Sequence, residues 1–327
     1  MIISWNTTQA CNIKCIHCYR DAGTRRSDEL STEEGKKLLS EMAKAGFKII
    51  ILSGGEPLFR SDIYELISHA RSVGMRPVLG TNGILITDEV AVKLKEAGLA
   101  RAGISLDSTD KKQHDWFRQC EGAWDQTMRG MEACRNAGLP FQVHTTAMSW
   151  NEAEITKITD LAVEVGAAAH HVFFLVPTGR GKDIEDTTLK TAQYEALLER
   201  ILDKQNEVSI ELKPTCAPQF MRIAKQRNMA MRFTRGCLAG TGYCVILPNG
   251  DVHPCPYLPI KVGNVREKEF DAIWRDSSLF NELRHEELKG GCGRCGYDKI
   301  CGGCRARAYY YSDGDYLAEE PWCDYGR

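Results

Sequence analysis

No stretch of this chain approaches the roughly 18 consecutive apolar residues that a membrane-crossing helix needs. Its first residues, MIISWNTTQ, show no basic segment leading into an apolar one, as a secretory signal would. Neither sign of charge dominates: 42 Lys and Arg face 44 Asp and Glu, which removes the electrostatic reason to expect nucleic acid or an anionic membrane as partner. Internal repeats and low-complexity runs are missing, and with them the fibrous and disordered classes. Cysteine is too scarce for a disulfide-built miniature domain, at 14 in 327 residues against the roughly 8–10% of such scaffolds. What remains is a cytoplasmic globular protein, 43% hydrophobic, acting on a small molecule. In a reducing compartment thiols stay free, so cysteines at this density point to metal.

From Ile2 to about Val176, short apolar runs alternate with amphipathic helical stretches. The runs begin at Ile2, Phe47, Met75, Ala100, Pro140 and His170, and the helical stretches close on Gly46, Gly74, Gly98, Gly138 and Gly166. Glycine just past a helix is a stop signal, because it alone takes the left-handed conformation cheaply. Ser31, Ser61, Asp62 and Thr87 stand where capping side chains belong. Five helix–strand steps after a first strand predict six parallel strands joined by right-handed crossovers, an α/β fold of the partial (β/α)6 TIM-like barrel kind. Reactive groups then gather at the carboxyl ends of the strands. Residues 1–185 are expected to form this barrel. Residues 186–235 are expected to form a helical bridge around a strand-like VSIELKP. Residues 236–327 read as a Cys-rich domain with a small hairpin turning at Asn249-Gly250; its apolar periodicity is too thin to fold without metal.

Cys11, Cys15 and Cys18 form C-x3-C-x2-C directly after the first strand. Three thiolates in eight residues can grip three corners of a cubane cluster and leave the fourth iron for an exogenous ligand. A closed zinc site wants four ligands, and the nearest other donor, His17, is wedged between two of the cysteines. One αβ unit on comes Ser53-Gly54-Gly55-Glu56-Pro57, where paired glycines let the backbone approach a ligand and its carbonyls accept from an ammonium group. Asn82 follows the third strand, and Ser105 and Asp107 close the fourth. Together these features resemble the radical S-adenosylmethionine (SAM) superfamily over residues 1 to 180. The resemblance implies a [4Fe-4S] cluster on Cys11, Cys15 and Cys18 with SAM on its open iron. It implies contacts from Gly54, Gly55 and Glu56 to the methionine amino group, and from Asn82, Ser105 and Asp107 to ribose or methionine. It also implies hydrogen abstraction by a 5′-deoxyadenosyl radical, so no catalytic side chain is expected.

The C-terminal cysteines run Cys237-x6-Cys244-x10-Cys255, then Cys292-x2-Cys295-x5-Cys301-x2-Cys304, then Cys323. By spacing, two four-thiolate zinc ribbons are served nearly as well as iron. The pattern resembles the SPASM extension of radical SAM enzymes, which implies two auxiliary [4Fe-4S] clusters and three clusters in all. By that likeness Cys237, Cys244, Cys255 and Cys304 hold the nearer one, and Cys292, Cys295, Cys301 and Cys323 the farther. The sequence departs in having two residues, Gly302 and Gly303, between Cys301 and Cys304 where the family usually has three. Full thiolate ligation makes electron transfer their expected role. Cys120, Cys134 and Cys216 read as buried packing residues.

The strings HHVFFLVPTGRG, KPTCAPQFMRIAKQ, GCLAGTGYC and CGGCRARAYYY resemble the radical enzymes of the siroheme-dependent alternative haem pathway and their denitrifier-haem relatives, the haem synthases most closely. This implies conversion of iron-coproporphyrin III to protohaem, two propionates becoming vinyl groups with loss of carbon dioxide and one electron each. It also implies a low-potential electron donor such as flavodoxin or ferredoxin. For a tetracarboxylate ring, Arg180, Lys182, Lys213, Arg222, Arg305 and Arg307 are available cations. His170 and His171 read as structural. Two rival activities fit the same motifs: removal of acetate or propionate side chains from a siroheme-derived ring, and peptide modification. The second generally uses a leader-binding domain, and here Cys11 comes almost at once.

Overall fold

The computed structural model describes residues 1–231, 233–285 and 287–325. The expected alternation is realised in strands β1 (Ile2–Thr8), β2 (Ile49–Gly54), β3 (Arg76–Thr81), β4 (Arg101–Ser105), β5 (Phe141–Ala147) and β6 (Ala169–Phe174). All are parallel and paired in chain order, as a partial barrel. Helices α1 (Thr32–Lys44), α2 (Ile63–Ser72), α3 (Asp88–Glu96), α4 (Lys111–Arg118), α5 (Ala123–Ala137) and α6 (Ile155–Glu164) connect them. The five glycine stops all have positive φ. Ser31 and Thr87 cap α1 and α3. Asp62 makes no cap bond, because its carboxylate pairs with Arg60 and accepts from the Thr32 hydroxyl.

The sheet continues beyond six strands. Between α7 (Thr191–Gln205) and α8 (Gln219–Gln226), Glu211–Thr215 forms β7, parallel to β6. The stretch expected as a helical bridge therefore extends the barrel. At the opposite edge β8 (Tyr243–Ile246) lies parallel to β1 and turns into antiparallel β9 (Asp251–His253), with β10 (Gly263–Asn264) outermost. The hairpin read from the sequence thus docks on the barrel sheet. Among the described residues four short helices complete the C-terminal part: α9 (Phe270–Asp276), α10 (Ser278–His285), α11 (Gly290–Arg294) and α12 (Arg305–Tyr311).

Strand alternation gives the sheet two faces. Ile3, Trp5, Ile50, Leu52 and Ile104 turn to the helices and build the main core. Helix α1 lies so close that a Cβ at Gly35 would come within 2.5 Å of the Trp5 ring. The other face carries polar groups, among them Ser4, Asn6, Ser53, Gln142, His144 and His171, and forms the floor of the half-open barrel. No helix among the described residues is long and apolar enough to cross a membrane.

Candidate functional site

The three N-terminal cysteines lie on the loop that leaves β1, and other parts of the chain hold that loop in place. Arg180 donates from Nε to the Cys15 carbonyl at 2.9 Å and from its backbone N–H to the Cys18 carbonyl at 2.9 Å. Its guanidinium also reaches Asp21 and the Ala22 carbonyl. Arg180, expected to meet substrate, is therefore engaged in shaping the cysteine loop. The His17 ring stacks on Phe117 with centroids 4.0 Å apart and 7° between planes, and burial lowers its pKa to about 3. Burial pushes the Cys11 thiol up to about 11. It raises Cys15 too, against the pull of the Arg118 guanidinium, which lies 3.8 Å from that sulfur.

The GGEP segment meets this loop through its backbone. Gly55 N–H donates to the Thr8 carbonyl and Glu56 N–H to the Ala10 carbonyl, both at 2.8 Å. A side chain at Gly55 would place its Cβ 2.1 Å from the Ala10 oxygen. The Glu56 carboxyl is buried beneath the loop and accepts from Thr81 Oγ1, the Asn82 N–H and the Leu58 N–H, which leaves its backbone to face a ligand. Burial raises it to about 7. Asn82 donates to Asn12 Oδ1 at 2.7 Å, tying the end of β3 to the cysteine loop, and half-buried Ser105 donates to the Thr81 carbonyl at 3.4 Å.

Asp107 departs furthest. Its side chain is 0% exposed, accepts from Arg118 Nε at 2.7 Å and the Thr146 N–H at 2.8 Å, and so is closed to a ligand. Burial would raise its carboxyl, but Arg118 with His17 and His114 holds it below the usual carboxylate range. Asp107 thus aims Arg118 at Cys15, a link that spacing along the chain did not show.

In the C-terminal part Cys292, Cys295, Cys301 and Cys323 line one cleft together with Arg222 and Tyr325. Arg305 Nη2 approaches Cys292 Sγ at 3.7 Å, and the Glu320 N–H donates to it at 3.2 Å. The second group is Cys216, Cys255 and Cys304, packed with Val176 and Leu258. Burial drives the Cys255 thiol well up, and the neighbouring thiols of Cys304, Cys237 and Cys216 add to the effect. Cys244 is not brought to this group: it lies on β8 inside the main apolar core. Cys216, read as a packing residue, stands where Cys244 was expected.

The other expected cations are engaged as well. Arg222 pairs with Glu195 at 2.8 Å, Arg305 donates to the carbonyls of Tyr316 and Ala318, and Arg307 pairs with Glu320 at 2.8 Å. Lys213 lies over the Phe233 ring at 4.2 Å, and Lys182 is exposed. Cys134 is a core residue, as expected, and Cys120 is half-buried.

His170 faces the helices, bonded to the hydroxyls of Thr145 and Thr159 at 2.8 and 2.9 Å. Burial lowers its pKa from 6.5 to about 3, so its contribution to stability is intact above 6.5 and is lost as pH falls through the window between the two values. The expected slope is about 1.4 kcal/mol per pH unit from this one group. Urea denaturation of the His170→Gln variant should show that much less pH dependence between pH 6 and 4; equal slopes would remove His170 from the acid response.

The donor sets fit iron–sulfur groups. All 14 cysteines are free. Among the described residues no three Cys, His, Asp or Glu side chains close on one point as a single zinc ion requires. Thiolates grouped in threes and fours are the donors that iron–sulfur clusters take, one to each iron.

Comparison with known proteins points the same way. A family model described as "Radical SAM superfamily" matches residues 5–162, and one described as "Iron-sulfur cluster-binding domain", SPASM, matches residues 237–305. The "AdoMet-dependent heme synthase" of Methanosarcina barkeri (strain Fusaro / DSM 804) is 45% identical, over 99% of this chain and 96% of that protein. The "Fe-coproporphyrin III synthase" of the same organism is 33% identical, over 98% of this chain and 87% of its own. Among solved structures, Streptococcus suis SuiB bound to precursor peptide SuiA matches with TM-score 0.80 at 20% identity, covering 98% of this chain and 74% of that one, a likeness of fold.

Proposed function

The chain belongs to the radical SAM superfamily, as an enzyme that binds SAM and carries iron–sulfur clusters, and from that premise we propose that it converts iron-coproporphyrin III to protohaem. The observation that carries this reading is the end-to-end identity of 45% to an AdoMet-dependent heme synthase, against 33% to an Fe-coproporphyrin III synthase. The bound cluster and SAM supply hydrogen-atom abstraction at a propionate β-carbon, after which loss of carbon dioxide and one electron leaves a vinyl group, twice per ring.

The protein's part is to hold and shield. Cys11, Cys15 and Cys18 hold the SAM-binding cluster, in a loop fixed by Arg180 and by Asn82. The backbone of Gly54, Gly55 and Glu56 faces the methionine group, and Ser105 lies beside it at the end of β4. Two further four-thiolate clusters, held mainly by the cysteines of residues 236–327, would supply the acceptor for the departing electrons, making three in all. Residues 1–185 form the barrel, and residues 186–235 join it to the cluster domain while adding β7. Lys182 and Lys213 remain as cations for the substrate carboxylates. A flavodoxin or ferredoxin serves as reductant.

The test is anaerobic reconstitution followed by incubation with dithionite, SAM and iron-coproporphyrin III. A monovinyl and then a divinyl porphyrin, with 5′-deoxyadenosine, is the expected result. Deoxyadenosine without vinyl product discards the substrate. Loss of acetate side chains from didecarboxysiroheme would transfer the protein to the sibling activity.

A further inference from the structure

We propose that Cys216, at the end of β7, is the fourth ligand of the nearer auxiliary cluster beside Cys237, Cys255 and Cys304, and that Cys244 is a packing residue. This rests on the reading that the C-terminal cysteines hold clusters.

Sheet register takes Cys244 away from the site. In the parallel ladder of β8 and β1, Cys244 stands opposite Ile3 and Val245 opposite Ser4, and in-register neighbours share a face. Ile3 turns to the helices. Cys244 does the same, with 0% exposure inside the main apolar core. Moving its sulfur to the other side would need a one-residue slip of β8. That slip would break the bond from the Tyr243 hydroxyl to Ser4 Oγ, at 2.7 Å on the barrel-floor face.

Cys216 has the opposite placement. It follows directly on β7, at the carboxyl end of the sheet where the N-terminal cysteine loop also lies. With Cys255 it packs against Cys304, Val176 and Leu258. Like Cys237 and Cys255 it is half-buried as a residue, and it packs outside the main apolar core that holds Cys244. Its backbone is left-handed, with φ at 59°, a conformation that residues with a Cβ hold only where their surroundings impose it. Arg307 supplies part of that constraint by donating to the Cys216 carbonyl at 2.8 Å. Cys237 is brought in from the other side, its N–H donating to the Cys301 carbonyl at 3.0 Å.

Two consequences follow from a ligand at this position. Four thiolates leave no iron of the nearer cluster open, which suits it to passing electrons and not to binding substrate. The cluster also ties the last barrel strand to the Cys-rich segment, since Cys216 alone of the four belongs to the barrel.

The test compares the full-length protein with its Cys216→Ala and Cys244→Ala variants after anaerobic iron loading, by iron and sulfide content and by EPR of the reduced clusters. The parent should hold about twelve irons per chain on the arithmetic of three cubanes; about four would overturn the underlying reading of the C-terminal cysteines instead. Given about twelve, Cys216→Ala should fall to about eight or show a three-iron signal in place of one cubane, and Cys244→Ala should match the parent. An unchanged Cys216→Ala, or any loss from Cys244→Ala, overturns the proposal. Alkylation of the parent protein removes dependence on how a variant folds: iodoacetamide should label Cys216 in the iron-free protein and not in the loaded one. Equal labelling in both states would overturn it.

Discussion

Cys15→Ala is expected to lower 5′-deoxyadenosine formation by at least about a thousandfold, since enzymes accelerate their reactions by about 10^6-fold or more and the group responsible here is held by this loop. Iron content should fall by about four per chain. Cys15 is the buried member of the three N-terminal thiols, and the protein grips it from two sides. Arg180 fixes its carbonyl at 2.9 Å, and Arg118, itself clamped by Asp107, faces its sulfur at 3.8 Å. Burial of that thiol disfavours the thiolate that a metal needs, and the guanidinium opposes the penalty. Alanine removes the ligand and leaves Arg118 facing a void. Cys134→Ala, a change in the core of α5, should keep the parent's iron and deoxyadenosine yield. Unchanged cleavage of SAM by the Cys15 variant would refute the role.

Much of this arrangement was legible along the chain because its signals are local. Glycine stops, hydrophobic runs and the spacing of Cys11, Cys15 and Cys18 each depend on a few neighbouring residues, and the barrel and its first site follow from them. What stayed hidden depends on register and on long-range contact. A five-residue strand at Glu211–Thr215 has too short an alternation to declare itself part of a sheet until β6 is beside it. Cys244 has the spacing of a ligand, but spacing along a chain carries no record of which face of a strand a side chain takes, and here it turns into the apolar core. Asp107 was expected to meet ribose or methionine from the end of β4, and nothing near it or near the Glu56 carboxyl in sequence names what those carboxyls bond. The groups they bond, Arg118 and Thr81, are 11 and 25 residues away in sequence. The engagement of the arginines was hidden for the same reason: arginine's fork engages backbone carbonyls and carboxylates wherever folding brings them, and Arg180 meets the Cys15 carbonyl across 165 residues.

The second large effect is expected at Arg307. Arg307 and Glu320 form an ion pair at 2.8 Å with both side chains 0% exposed, so removing one partner strands a charge in the interior. Arg307→Ala should destabilise the protein by about 3–5 kcal/mol, the usual consequence of breaking a buried pair. The damage should reach the clusters as well, because each member of the pair holds a cysteine. Arg307 Nη1 donates to the Cys216 carbonyl at 2.8 Å, and Glu320 Oε2 accepts from the Cys304 N–H at 2.6 Å. Glu320 also donates its own N–H to Cys292 Sγ at 3.2 Å, so the pair stands between the two auxiliary sets. Replacing both residues together, as Arg307→Leu with Glu320→Leu, removes the stranded charge and should recover a large part of the stability. It cannot restore the hydrogen bonds to the Cys304 amide and the Cys216 carbonyl. The double variant is therefore expected to melt close to the parent in urea yet load fewer irons. A double variant that regains both stability and iron would show that the pair serves packing alone, and an Arg307→Ala protein as stable as the parent would show that the charge is not confined.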